Sequence, residues 1–412
     1  MPLYFMEKFK SNDMKKLKNL SLCMVTCICM VACTSKQQQE NVSDNLPYTV
    51  IPFEKGVENV KQVKLSEIAE KITFVPMETT VASLIARPKL MSMVYVDGKI
   101  IIPCTLGVLA FDEKGKYLNT ISRKGQGPGE YVQLRFVSTN EELGMLFLQD
   151  NLKLLSYRVD GTFVRENKTP TGPCLETLVT QDSITLSALY NSTGRQPYRL
   201  LLTDTKGDTL KAFPQYDRFE MPDGWNSLYR NTKEDFLYSY KGEFVFHDYY
   251  SDTIYTVMRD TLLPRYLLEM GKYHLPKNLR LEVALTGSQR EGEEALKLAQ
   301  NYLRPTLLEN DRFIVMPYTT WSIWDKSLPT ELMLYNQRTK ECIKVEGGAF
   351  VNDMMGTLPF CPDVRIAENV LAEWWEASEL MELAEEGVEL PENLKNLKED
   401  DNGVLVLVHL KK

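Results

Sequence analysis

The sequence holds only three histidines, His247, His274 and His409. They show no His-Glu-x-x-His or His-x-His spacing, so no histidine-built metal site is expected. No serine sits in a Gly-x-Ser-x-Gly setting, which argues against the nucleophile elbow of the α/β-hydrolases. Positive charge is also scarce. Lys and Arg number 48 against 56 Asp and Glu, a formal charge of −8, without the basic footprint of a nucleic-acid binder. The eight cysteines include no Cys-x-x-Cys pair, so neither a zinc ribbon nor a redox motif is signalled. Long apolar runs are missing too. The apolar segment Leu20–Ala32 has 13 residues and as a helix would reach about 20 Å, short of the roughly 30 Å hydrocarbon core of a bilayer.

That short run carries an address. It follows Met14-Lys15-Lys16-Leu17-Lys18 and ends Met30-Val31-Ala32-Cys33, a positive n-region, an apolar h-region and small residues before a cysteine. The ending resembles a lipobox, so residues 1–32 read as a signal peptide that starts at Met14, and Cys33 as the acylated mature N-terminus. Removing residues 1–32 takes away five Lys and two acids, so the mature charge is −8 − 3 = −11. Residues 33–62 are expected to tether the lipid to the folded domain, 63–412. The four remaining cysteines, Cys104, Cys174, Cys342 and Cys361, fall in strand-like contexts and read as small buried hydrophobes.

From Lys89 onward the chain repeats. Turn sequences at Lys114-Gly115, Asp160-Gly161 and Lys206-Gly207 place glycines 46 positions apart twice, the period of propeller blades. The same step lands next on Thr253, read as the following turn. Four short strands fit each period, with Asp97-Gly98 as a hairpin turn between apolar runs. Pro276–Leu303 and Ala377–Glu386 switch to helical spacing and read as insertions, the first divided at Gly287-Ser288. The last blade would begin at Phe350–Asp353 and end in the strand Gly403–Leu410. The leftover strand Lys71–Pro76 should pair with it and close the ring.

Between the first two repeats stands Ile121-Ser122-Arg123-Lys124-Gly125-Gln126-Gly127-Pro128-Gly129-Glu130-Tyr131. With the preceding "FDEKGKYLNTI" and the closing acidic-Asn turn and apolar strand, it resembles the six-bladed, NHL-like β-propeller lipoproteins of Bacteroidota. Gly403 departs from that pattern, which usually has proline there. The resemblance implies an all-β, six-bladed propeller with helical insertions, held at the cell envelope on the periplasmic side or the outer surface. It implies no reaction.

Three glycines in the signature loop expose successive N–H groups that form an anion nest, with Arg123 and Lys124 beside it. The bland alternative is a tight crossing in which Glu130 and Arg123 satisfy local groups. No Walker lysine follows, so nucleotide binding is unsupported. Trp374-Trp375 must face opposite ways in a strand, which offers one exposed ring. Arg123, Lys124, Glu130, Trp374 and Trp375 are therefore the candidate ligand contacts, with no catalytic residue assigned, no cofactor and no metal. The functional reading is a monomeric, membrane-anchored, non-catalytic module that binds a protein, peptide or glycan. The alternative is a glycan lyase or hydrolase at the central channel, which needs two carboxyl groups at a suitable separation. Strand direction places the Arg123–Glu130 loop and both helical insertions at one end of the ring, where a ligand would bind.

The N-terminal reading is directly testable. Labelled palmitate should enter the wild type and not Cys33→Ser; equal labelling of both would remove the lipid anchor from the account.

Overall fold

A computed structural model describes residues 46–412, except 152, 170–173, 181, 222, 225, 227–236, 249, 285–296, 322–329 and 357. Cys33, Gly287 and Ser288 lie outside the described residues. Three N-terminal strands come first: β1 (Thr49–Ile51), β2 (Val60–Lys61) and β3 (Ala69–Pro76). Blade one is β4 (Val94–Val96), β5 (Lys99–Cys104), β6 (Gly107–Asp112) and β7 (Tyr117–Ser122). Blade two is β8 (Phe136–Asn140), β9 (Met145–Gln149), β10 (Lys153–Arg158) and β11 (Phe163–Lys168). Blade three is β12 (Cys174–Val179), β13 (Thr185–Leu189), β14 (Tyr198–Thr203) and β15 (Thr209–Pro214). Blade four is β16 (Leu237–Tyr240), β17 (Glu243–His247), β18 (Thr253–Val257) and β19 (Leu262–Leu268). Blade five opens with β20 (Leu303–Pro305) and β21 (Leu308–Glu309), both paired to β22 (Phe313–Thr320), and continues with β23 (Glu331–Asn336) and β24 (Cys342–Val345). Blade six is β25 (Val364–Ala367), β26 (Val370–Trp375) and β27 (Val404–Leu410), with β3 as its fourth strand. The first strands of successive blades touch around a ring, and between blades four and five the Tyr238 hydroxyl of β16 donates to Glu309 of β21. The molecule is a six-bladed β-propeller.

Strands sandwiched between blades are apolar on both faces. In β5, Ile100 and Ile102 join the core shared by blades six and one, and Ile101 the core shared by blades one and two. The 46-residue spacing marks the outer hairpins, where Gly115, Gly161 and Gly207 take φ of +82°, +91° and +90°. In each of these turns an Asp side chain accepts backbone N–H groups, Asp160 Oδ1 taking that of Thr162. Asp112 Oδ1 accepts the Lys114 and Lys116 N–H groups, and Asp204 Oδ1 those of Lys206 and Asp208. Asp97-Gly98 is a hairpin with both residues left-handed, φ +50° and +68°, as its sequence requires.

The ring closes as expected. β27 pairs antiparallel with β3 from Val404↔Pro76 to Leu410↔Ala69. Ile72 and Phe74 of β3 enter the core between blades five and six, and Val75 and Met77 that between blades six and one. Burial of each stabilises the closed ring by about 1.5–3 kcal/mol. Asn402, buried in the turn before β27, clamps the chain leaving β3. Its Oδ1 accepts the Ile85 N–H and its Nδ2 donates to the Glu78 and Ser83 carbonyls.

Three expectations need correction. Phe350–Asp353 is not the first strand of blade six. Phe350 bridges Phe360 and Val351 bridges Lys64, both outside the sheet, and β25 takes the inner position. Phe350 and Phe360 are fully buried together, so their hydrophobicity reports core packing rather than a strand. Thr253 is not an outer turn but the start of β18, because the connection from Pro214 to Leu237 is longer than those leaving blades one and two. Thr49–Lys61, placed in the tether, is folded. β1 and β2 add in parallel to the outer edges of blades four and five, at β19 and β24. Ile51 of β1 and Phe53 of the helix Phe53–Glu58 that follows it enter the core of those blades, and Gly56 allows the helix to approach Cys342 closely. Cys104, Cys342 and Cys361 are free thiols.

Two truncations separate closure from covering. Deleting residues through Lys61 removes β1 and β2 and should lower the unfolding midpoint while leaving one cooperative transition. Deleting through Pro76 bares the edge of β27 and should cause aggregation. A soluble, cooperative protein lacking β3 would show that the pairing does not close the ring.

Candidate functional site

Strands within each blade alternate in direction, so the second-to-third connection and the exit to the next blade leave at one end. That loop end carries the signature loop, the Pro276–Leu303 connection with its helix Arg280–Ala284, and the helix Ala377–Glu385. The opposite hairpin end carries short turns such as Asp97-Gly98 and Lys241-Gly242.

The signature loop is occupied by its own side chain. Gly127 N–H donates to Glu130 Oε2 at 2.9 Å, Gly125 N–H to the Tyr131 carbonyl at 2.9 Å, and Tyr131 N–H to the Arg123 carbonyl at 3.3 Å. A Cβ on Gly125 would overlap the Glu130 carboxylate. Gly129 is left-handed at φ +74°, and its carbonyl accepts the Ser122 and Tyr157 hydroxyls. The nest thus holds an internal anion. Tyr131 is buried, and burial together with Cys104 and Asp150 pushes its phenol up to about 12. Arg123 and Lys124 are exposed.

The tryptophan pair divides as strand alternation requires. Trp375 is buried in the core of blades five and six, while Trp374 is half-buried and donates from Nε1 to Glu376 at 3.0 Å. Gly403 leaves room for the Trp374 ring, which a Cβ there would strike. Of the histidines, His247 is half-buried and donates from Nε2 to the Ser251 carbonyl at 2.7 Å, and His274 Nδ1 lies 2.6 Å from Asp252. Neither lines either of the two cavities described next.

Those cavities sit at the two ends of the channel. The hairpin-end cavity, about 450 Å³, is lined by Glu141, Glu142, Asp182 and Glu368, with Arg365 on its wall. Burial and then Glu368 hold the Glu141 carboxyl above its ordinary range. Arg365 is already engaged, donating to the Ser239 carbonyl at 2.9 Å and lying over the Tyr238 ring. The loop-end cavity, about 530 Å³, draws Lys89, Gln133, Arg135, Arg304, Thr306 and Asp363 from four blades. Sequence reasoning missed these residues because they lie in or beside inner strands and have no motif of their own. Among the described residues no cluster of three or more His, Cys, Asp or Glu is arranged to hold a metal.

A family model described as a domain of unknown function, DUF4934, matches residues 48–409. The chain belongs to that family. A putative exported protein from Bacteroides fragilis is similar to this DUF4934 chain in structure. The TM-score is 0.66 at 17% identity, covering 88% of this chain and 100% of that one. A member of the DUF4221 family from Bacteroides vulgatus gives 0.48 at 13% identity, covering 83% of this chain and 97% of that one. At such identities the resemblance concerns the fold alone. No curated protein matches the sequence. Among the described residues of the DUF4934 chain, no helix is long and apolar enough to cross a membrane.

Contact between Gly125 and Glu130 yields a double-mutant cycle. Glu130→Ala should cost about 1–3 kcal/mol by leaving the Gly127 N–H without its acceptor. Gly125→Ala should destabilise the wild type and do far less in the Glu130→Ala background, with a coupling of about 1 kcal/mol or more. Additive losses in chemical denaturation would show that the carboxylate does not fill the nest.

Proposed function

We propose that the protein is a lipid-anchored envelope module that binds a protein, peptide or glycan at its loop end without cleaving it. The observation that carries this reading is the 530 Å³ cavity opening where the elaborated connections gather. Binding sites concentrate in such concave surfaces on loops held by a rigid scaffold. The exposed Arg123 and Lys124 belong to the same end and would frame the approach. The envelope address draws on the lysine-rich N-terminal segment ending at Cys33, and the similar Bacteroides fragilis protein is itself described as a putative exported protein.

Binding is favoured over cleavage by the state of the carboxyl groups nearest the cavity. Asp363 lines it but accepts the Trp374 N–H at 3.0 Å. Glu373 is buried behind it, accepting the Cys361 N–H, and burial and then Asp363 hold its carboxyl well above the ordinary range. Two neighbouring acids are the arrangement glycosidases use, yet Glu373 is not among the residues lining the cavity.

The test is a peptide and glycan array probed with detergent-solubilised full-length protein and two variants. Gln133→Trp fills the loop-end rim; Glu142→Trp alters the hairpin end. Signals should vanish with the first and persist with the second. The reverse pattern would move the site to the hairpin end, and cleaved glycans on the array would make the protein an enzyme.

A further inference from the structure

At the loop end the connections of blades six and one lie side by side. They are the Glu376–Gly403 connection between β26 and β27, the segment that leaves β3 for blade one, the turn between β5 and β6, and the signature loop. Each is a second-to-third connection or an exit, so strand direction sends all four to one face.

Their charges are sorted. The Glu376–Gly403 connection holds ten acids and two lysines, and Glu382, Glu385, Glu386, Glu399 and Asp400 are exposed. The loop end of blade one has the opposite sign. Arg87 and Lys89 stand between Leu84 and Leu90 with no acid among them, and Arg87, Arg123 and Lys124 are exposed. The one acid of the signature loop, Glu130, is turned into its own nest. The face therefore carries a negative arm on blade six and a positive arm on blade one.

Apolar side chains stand where the arms meet. On the segment leaving β3, Val81 is fully exposed and Leu84 is 45% exposed, and Leu106 in the next turn is 53% exposed. The Thr105 N–H donates to the Ala86 carbonyl at 2.9 Å, which joins that turn to the segment. On its other side Gly107 lies against Ser122 and Arg123 of the signature loop. The Val81 turn is also pinned from below. Ser83 is fully buried and donates from Oγ to the Glu78 carbonyl at 2.6 Å. Asn402, which follows the acidic run Glu399–Asp401, donates from its backbone to Thr79 at 2.8 Å and from its side chain to the Glu78 and Ser83 carbonyls. That clamp sets the acidic run beside the Val81 turn. A valine held in water on a fixed turn contributes nothing to the core, yet being fixed it forfeits little entropy when a partner covers it.

A positive arm, an apolar centre and a negative arm make a face that is complementary to itself after a half turn. We propose that this face joins two copies of the chain about a twofold axis. Val81 and Leu84 of the two copies pack at the centre, and Arg87, Arg123 and Lys124 of each copy meet the Glu399–Asp400 arm of the other. The dimer goes beyond the ligand reading and needs no ligand.

Sedimentation equilibrium of the full chain in density-matched detergent tests it. The wild type should dimerise in about 0.02 M salt, with a dissociation constant about tenfold higher in about 0.3 M salt. Val81→Asp should raise that constant about tenfold or more at an unchanged thermal midpoint, because it puts a charge in the dimer centre and not in the core. Arg123→Glu with Lys124→Glu makes the positive arm negative, and Glu399→Lys with Asp400→Lys reverses the other. Each double variant alone should be a monomer, and the two mixed in equal amounts should form a heterodimer. A wild-type chain that stays monomeric at about 0.1 mM would overturn the proposal. So would a dimer indifferent to Val81→Asp, which would use another face. A mixture of the two double variants that fails to associate would overturn the pairing of the arms.

Discussion

The pairing of β3 with β27 closes the ring of blades, and the loop-end cavity exists only while that pairing holds. Its walls come from blades one, two, five and six, so the ring seam passes through the middle of it. If β3 left β27, blades one and two would lose their fixed position relative to blades five and six. Lys89 and Arg135 would then part from Arg304. Asn402 strengthens the same junction by binding the chain that leaves β3. Stability and site geometry therefore share one cause, the burial of Ile72, Phe74, Val75 and Met77.

The fold was legible where local chemistry and global architecture agree. Glycines recurring in outer hairpins need left-handed backbone, and apolar strands with Asp-Gly turns need no distant partner to be recognised. The leftover strand Lys71–Pro76 could be assigned by asking which edge lacked a mate. Legibility failed where a residue's role depends on distant neighbours. Phe350 reads as strand because it is apolar, yet it is buried by Phe360 outside the sheet. β1 and β2 are too short to show a period, and only the uncovered edges of blades four and five give them a partner.

The candidate site shows the same division. The glycines of the signature loop announced a nest, and the glutamate of the same motif turned out to fill it. A stack of Arg304, Trp321, Tyr250, Arg280 and Phe219 is drawn from segments around blades three, four and five. No spacing in the sequence joins those residues. The cavities at the two channel ends also differ in charge, acidic at the hairpin end and cationic at the loop end, a polarity that appears only once strand direction sorts the turns.

Native-state hydrogen exchange of the full chain measures the central dependence directly. The account predicts that the amides of Ile72–Val75 exchange together with those of β27, only through global unfolding. Exchange of Ile72–Val75 alongside β1 and β2 through a low-energy opening, with β27 still protected, would contradict it.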